Sequence, residues 1–345
     1  MRTSRSAQIR FVLHDCEVVE IGARSRLSQH APSRAHIVFA FAAIYLIWGS
    51  TYLGIRYAVE TIPPLLMMGI RHLTAGLLTY AFVRRRGGPA PQPVQWMYAA
   101  VLGAALFLGG HGILAWAEQK IPSGLAALLC ATLPLWTVLL GWIRRSERNL
   151  GVKAWAGILL GFAGVVLLIG RDSFARQQSL NLLGAAGAVF SAFLWAVGTL
   201  YSKGIRLPGS TVLSAAMQMI TGGGLLLLTG FATGEAGRLY MASVSARSIL
   251  ALAYLIVFGS IVAFTAFTWL VSVTTASRVS TYAYVNPVIA VFLGWTLAGE
   301  KLGVRILAAT VIIVISVILV STPKNVTREE PVSFREEELS EASAD

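Results

Sequence analysis

The sequence predicts an all-α polytopic membrane protein, with ten transmembrane helices arranged as two inverted five-helix repeats. Three observations predict it. Of 345 residues, 56% are hydrophobic and only 13% charged, and the mean hydropathy is +0.68; a soluble domain carries about a quarter charged residues. Apolar runs of membrane-spanning length recur down the chain. Two stretches also read almost alike: Pro134, Gly141, Trp142 and Glu147 match Pro287, Gly294, Trp295 and Glu300 at one constant offset. Trp116 and Trp269 share that offset. A second constant offset aligns Trp48 with Trp195, Arg56 with Lys203, Arg71 with Gln218 and Thr74-Ala75-Gly76 with Thr221-Gly222-Gly223.

A helix that crosses a bilayer needs about 20 mostly apolar residues. The runs are 36–57, 64–83, 96–117, 123–143, 152–170, 180–202, 211–232, 248–271, 277–298 and 304–321. Backbone groups in lipid must be satisfied within the segment, and runs this long and uniformly apolar read as helices, not barrel strands. The first carries Trp48 and Gly49-Ser50-Thr51-Tyr52. The second follows Pro63-Pro64 and holds Arg71. The third contains Gly109-Gly110-His111-Gly112 and ends at Trp116-Ala117-Glu118. The fourth is interrupted by Pro134, and the fifth has Gly157-x-x-x-Gly161, a spacing that suits a close helix contact within the bundle or between protomers. The sixth carries Trp195 and the seventh Gln218. Trp269 lies in the eighth and Pro287 interrupts the ninth. The tenth follows Leu302-Gly303.

Residues 36–170 form the first expected repeat and 180–321 the second. Residues 1–35 are polar, arginine-rich and lack the apolar core of a secretory signal, so a flexible cytoplasmic tail is expected. Residues 322–345, rich in Glu and Ser, read as a disordered acidic tail. With the N-terminus inside, 19 Lys and Arg fall on cytoplasmic segments and 8 outside, which places both termini in the cytoplasm of a cell with this protein in its inner or plasma membrane. Five helices per half is an odd number, so the second half enters the membrane upside down relative to the first. Duplicated, inverted bundles with mid-depth breaks are a transporter signature.

A net charge of +12 could suggest nucleic acid, but the basic residues sit in short loops where they orient helices, and nucleic-acid binding is not expected. Cys16 and Cys130 offer neither a disulfide framework nor metal-ligand spacing. The chain has no Walker loop, His-Glu-x-x-His or nucleophile elbow. No enzyme, cofactor or metal chemistry is expected, and transport would run on a gradient or as exchange.

Arg71 is the sharpest single residue. A charge inside a span costs at least about 2.5–3.5 kcal/mol on insertion scales, so it should face the bundle interior or water. It reads equally as a site for a substrate carboxylate or as a structural group bonded to carbonyls near Pro63-Pro64. His111 changes charge in the physiological range and leaves proton coupling open; an interhelical hydrogen bond is the blander reading. Glu118 reads as a solvated helix end or as a partner of Arg71 or Lys120. Pro134 and Pro287 each remove a helix hydrogen bond near mid-span. Around them Thr132, Tyr284 and Asn286 could meet substrate. Trp48 lies too deep for the interfacial belt, and with Trp195, Ser50 and Tyr52 it suits a cavity for amphiphiles. The expected cavity set is therefore Trp48, Ser50, Tyr52, Arg71, His111, Thr132, Trp195, Gln218, Tyr284 and Asn286.

Ile47-Trp48-Gly49-Ser50-Thr51-Tyr52, Pro63-Pro64 through Arg71, Trp116-Ala117-Glu118, Pro122-Ser123-Gly124-Leu125-Ala126-Ala127, Tyr282-Ala283-Tyr284-Val285-Asn286-Pro287 and Gly299-Glu300 together resemble EamA-type members of the drug/metabolite transporter superfamily. Within it the chain is most similar to the YedA-like inner-membrane exporters. The resemblance covers roughly residues 36–321. It implies ten helices in inverted repeats, cytoplasmic termini, a central cavity open alternately to each side, and export of small metabolites, amino acids or drugs. Histidine at 111 departs from the small polar residue expected there. Three rivals stand beside that expectation. A membrane-embedded enzyme would need clustered carboxylates, His or Cys at a membrane surface. A non-transporting sensor or scaffold would not need paired mid-membrane prolines. A nucleotide-sugar or lipid-carrier translocator would want more basic residues within the spans than Arg71. Substrate, coupling ion and oligomeric state are not legible.

Overall fold

The computed structural model describes residues 33–144, 151–169, 279, 282–321 and, apart from 203, 206 and 209, residues 181–274. Residues 1–32 of the expected tail 1–35, the expected tail 322–345, and Glu147 and Lys203 of the repeat matches lie outside the described residues, while Arg34 and Ala35 already belong to the first helix. The regular structure among the described residues is all helical, with no strand among them. Seven helices are long and apolar enough to cross a membrane: α1 (Arg34–Ala58), α2 (Pro64–Arg85), α3 (Pro93–Glu118), α4 (Ser123–Ile143), α6 (Leu182–Ser202), α7 (Thr211–Ala232) and α8 (Ala246–Val273). Three further apolar helices are shorter or only partly described: α5 (Val152–Ile169), α9 (Tyr282–Ala298) and α10 (Val304–Ser321).

Several helix starts are fixed by identifiable hydrogen-bond partners. Ser33 caps α1 by accepting from the His36 amide. Pro64 opens α2, where its missing N–H costs nothing, and the next free amides, Leu65 and Leu66, donate to the Glu235 carboxylate at 2.9 and 3.0 Å. Ser210 and Ser245 cap α7 and α8, as hydroxyl residues do at N-caps.

Three helices are not uniform. α3 passes from ordinary helix (Pro93–Leu102) into wide π-type turns (Gly103–Gly112) and back (Ile113–Glu118). α8 does the same, with wide turns at Leu255–Val262. α4 breaks at Ala131–Thr132, so Pro134 starts its second half (Leu133–Ile143) instead of bending a continuous rod. In α9 the helix runs through Pro287 unbroken. The two matched prolines thus sit in different local geometries.

The helices interlock by a regular set of partners. α2 packs along α7 and α5 along α10. α1 lies against α8 and α9, and α6 lies against α3 and α4. Small residues set the closest approaches. A Cβ on Gly76 of α2 would stand 2.7 Å from the Ile220 backbone nitrogen of α7, and one on Gly223 would strike the Leu73 backbone nitrogen. A Cβ on Gly103 of α3 would lie 2.6 Å from the Gly222 nitrogen. The matched glycines Gly76 and Gly223 therefore lie at the α2–α7 crossing, where backbones approach closely, while Thr221 and Gly222 face α3. The periphery is apolar: Leu78, Leu159 and Leu228 are 56%, 68% and 68% exposed, as suits a surface that faces hydrocarbon.

Replacing Gly223 by Val must push α2 from α7. Overpacking of this kind costs about 1–3 kcal/mol, so thermal unfolding of the detergent-purified protein should move to lower temperature. Gly224, where a Cβ meets nothing within 4 Å, should accept Ala without loss.

Candidate functional site

A cavity of about 710 Å³, its mouth included, opens among α1, α2, α3, α4, α6 and α9. Its walls are aromatic. The rings of Trp48 and Trp195 meet edge to face at 6.3 Å, and Trp48 also packs on Tyr282 at 5.1 Å and on Phe267 at 5.0 Å. Tyr52, Leu114, Ala127 and Leu133 complete the apolar lining, and Thr51, Cys130 and Ser191 add polar atoms.

Arg71 supplies the one guanidinium of the lining. It is 1% exposed. Among the described residues its Nε donates across to Ser260 Oγ of α8 at 2.9 Å, not to a carbonyl near Pro63-Pro64, and Nη1 lies 3.7 Å from Met68 Sδ of its own helix. Both Ser260 and its neighbour Gly259 belong to the wide turns of α8. Gly259 has two roles there. Its carbonyl accepts from Trp48 Nε1 at 3.2 Å, and a Cβ on it would stand 2.9 Å from Arg71 Nη2. The glycine thus seats the guanidinium and the indole at one place. Wide turns of this kind are frequent at functional sites.

His111 also lines the cavity. Its Nδ1 is 2.9 Å from Nε2 of His72, and the two rings stack at 4.9 Å and 8°. Phe107 covers His72 at 4.3 Å. One imidazole must donate and the other accept in this contact. The interhelical bond expected of His111 is present, and the ring faces the cavity as well.

Other expected residues are placed as follows. Asn286 and Pro287 line the cavity beside Ala283. With its amide nitrogen turned toward them, Asn286 donates to the carbonyls of Tyr45 and Tyr282 at 3.1 and 3.2 Å. Pro134 and Pro287 lack the N–H that would bond the carbonyls of Cys130 and Ala283 four residues earlier, and both of those residues are in the lining. Ser50, Thr132 and Gln218 lie outside it. Ser50 donates to the Ile47 carbonyl and meets Tyr254 Oη, Thr132 donates to the Leu129 carbonyl, and Gln218 donates to Ser214 Oγ. Pro134 is buried behind the wall. The Tyr284 side chain lies outside the described residues.

One end of the cavity is tied shut by bonds among α1, α3, α4 and the end of α9, those of Glu300 and Tyr57 crossing between the halves of the chain. The Glu300 carboxylate accepts from the Ser123 amide and hydroxyl at 2.7 Å and from the Gly124 amide at 3.0 Å. It thereby caps the start of α4, where free amides and the helix dipole favour a negative group. Tyr57 Oη donates to the Leu297 carbonyl at 2.8 Å, and Arg56 Nη1 to the Glu118 carbonyl at 2.7 Å. Glu118 itself is 0% exposed, which corrects the expectation of a solvated helix end.

The arrangement can hold a small molecule by its apolar area between indole and phenol rings and meet an anionic group at Arg71. Among the described residues, no three His, Cys, Asp or Glu gather as a metal site would require. Helices embedded in lipid around a polar-tipped cavity define a membrane solute transporter. The chain belongs to the EamA-like transporter family, whose pattern matches residues 35–170 and again residues 182–322. It is 37% identical over 298 residues to the inner membrane transporter YedA, itself uncharacterized, of Escherichia coli K12, covering 85% of this chain and 93% of that one. It is 27% identical to the uncharacterized transporter YvbV of Bacillus subtilis 168, covering 90% and 99%. A probable amino-acid metabolite efflux pump of Escherichia coli K12 is 26% identical, covering 78% and 89%. One solved crystal structure, 22% identical, shares the fold with a TM-score of 0.60 over 84% of this chain and 98% of that one.

Replacing Ser260 by Ala leaves the Arg71 Nε–H buried without its acceptor. A lost bond to a charged group costs about 1.5–3 kcal/mol. The measurement is thermal unfolding in detergent, with Ser260→Thr expected to retain more stability than Ser260→Ala.

Proposed function

We propose that this chain is a secondary-active exporter of small metabolites, amino acids or amphiphilic drugs, working by alternating access. The observation that carries the proposal is the cavity, because its walls come from both halves of the chain: α1, α2, α3 and α4 on one side, α6 and α9 on the other. A rocking of one half against the other would open it to each side in turn.

In this reading all ten helices span the inner membrane, residues 36–170 and 180–321 are inverted repeats, and the tails 1–35 and 322–345 are cytoplasmic. The helix partners support it. Adding five to each label turns α1 against α8 and α9 into α6 against α3 and α4, and leaves the α2–α7 and α5–α10 pairs as they are. The family pattern matches twice, once on each proposed repeat. The wide turns of α3 and α8 also fall at corresponding places. The name of the inner membrane relative supports the compartment, and that of the amino-acid metabolite pump supports the substrate class.

Trp48, Tyr52, His111, Trp195 and Asn286 contact the substrate in this account, and Arg71 takes its carboxylate or other anionic group. Ser50, Thr132 and Gln218 support the wall from behind. Pro134 and Pro287 are the points at which α4 and α9 yield.

Cells loaded with a panel of amino acids, dipeptides and dyes test this directly. At least one compound should leave faster with the intact chain than without it. Arg71→Ala should slow export of anionic compounds by about 10- to 100-fold, the equivalent of one charge-assisted hydrogen bond, with Asn286→Ala a smaller loss. Native export rates in both variants at equal membrane abundance would refute the assignment of the cavity.

A further inference from the structure

Glu118 ends α3 one helical turn beyond Leu114, which lines the cavity. Neither of its carboxylate oxygens has a hydrogen-bond partner among the described residues, and the residue is 0% exposed. Lys120 turns elsewhere, its ammonium 5.0 Å over the Trp116 ring. The Arg56 guanidinium spends its bond on the Glu118 backbone carbonyl. A carboxylate taken out of water without a partner is costly as an anion, and such a group neutralises by taking up a proton. The ionisable groups near enough to act on its charge are Tyr52 and Arg56 from α1, Arg71 from α2, Cys130 from α4 and Glu300 from the turn after α9. Arg71 belongs to the cavity. Arg56 and Glu300 belong to the bonds that tie its end shut.

We propose that Glu118 is a proton-binding site of the transport cycle, protonated while this end of the cavity is tied shut and deprotonated when the end opens to water. The site rests on the export reading above and supplies its coupling. In the closed arrangement one carboxyl oxygen holds the proton and the group is neutral. When Glu300 leaves Ser123 and Gly124, water reaches Glu118 and accepts the proton, leaving an anion that Arg56 can pair. A second negative charge beside Glu300 then opposes reclosure until a proton returns. The proton thus acts on the seal, one turn away from the substrate, and no residue of the cavity wall need titrate.

The test uses the full chain reconstituted in lipid vesicles. Infrared titration of the native protein should show a carboxylic-acid C=O band that persists at pH 7. The band should vanish in Glu118→Gln, return at a shifted position in Glu118→Asp, and remain in Glu60→Gln, an exposed residue that pairs with Arg247 at 3.7 Å. A pH dye inside the vesicles then follows proton movement when a mixture of amino acids is added outside. Native vesicles should move protons and exchange labelled amino acids. Glu118→Gln should keep the exchange and lose at least nine-tenths of the proton movement. Absence of the band from native protein, its persistence in Glu118→Gln, or unchanged proton movement in that variant would each overturn the proposal. Native protein that keeps the band but moves no amino acid would defeat the export reading alone, leaving Glu118 as a proton-binding carboxyl.

Discussion

A permanently charged guanidinium inside a lipid-embedded bundle is the constraint on which the rest of this structure turns. Arg71 cannot shed its charge, and hydrocarbon cannot solvate it. The fold answers from α8. That helix widens at Leu255–Val262, and Gly259 leaves the space that the guanidinium enters. The next residue, Ser260, supplies an acceptor, while the Gly259 carbonyl holds Trp48 of α1. Three helices are thereby registered at one place, and the remaining guanidinium surface is left to the cavity. A Cβ at 259 would stand 2.9 Å from Arg71 Nη2 and 3.0 Å from Thr51 Cγ2, so a larger residue there would displace the guanidinium.

Close backbone packing makes that register rigid. The α2–α7 and α3–α7 crossings are glycine against backbone, so α2 has little freedom to carry Arg71 elsewhere. In the proposed cycle these crossings are the pivot about which the halves rock, and the larger displacements fall elsewhere. The broken α4, the proline in α9 and the bonds from Glu300 to the start of α4 are the elements that can change without dismantling these crossings. Cavity, seal and Glu118 share them. α4 carries Cys130 and Ala131 of the wall and begins at the amides that Glu300 caps.

Much of this was legible in the sequence because it depends on composition and spacing. Uniform apolar runs forced the helices, and a charge in a span forced Arg71 inward. The pairing of Trp48 with Trp195 followed from the repeat. The residues that the sequence did not disclose act through backbone form or through distant partners. Nothing in Leu255–Val262 announces a wide turn, so Gly259 and Ser260 passed unmarked. His72 is beside Arg71 in the chain, yet its contact with His111 depends on how α2 and α3 are rotated. Glu118 stands at the edge of an apolar run, where a carboxylate is ordinarily wet; only the packing of its helix end against α1, α2, α4 and α6 buries it. Ser50 and Thr132 share helices with the wall, but each hydroxyl donates to a carbonyl of its own helix, and Gln218 lies on α7, outside the wall, bonded to Ser214. Glu235 lies between two apolar runs, and nothing in its neighbours announces that it caps α2 across a long sequence separation.

The central claim is that one cavity between the two halves meets water on each side of the membrane in turn. The most direct measurement is side-dependent labelling of Leu133→Cys, a wall position on α4, in a chain whose own Cys16 and Cys130 have been replaced by Ser and Ala. A membrane-impermeant thiol reagent is applied to right-side-out and to inside-out vesicles. Leu159→Cys, on the apolar periphery and 68% exposed in the bundle, serves as the lipid-facing control. The account predicts that position 133 reacts from both sides, that an exported compound slows the reaction, and that position 159 reacts from neither. Reaction from one side alone under every condition, or none at all, would contradict it.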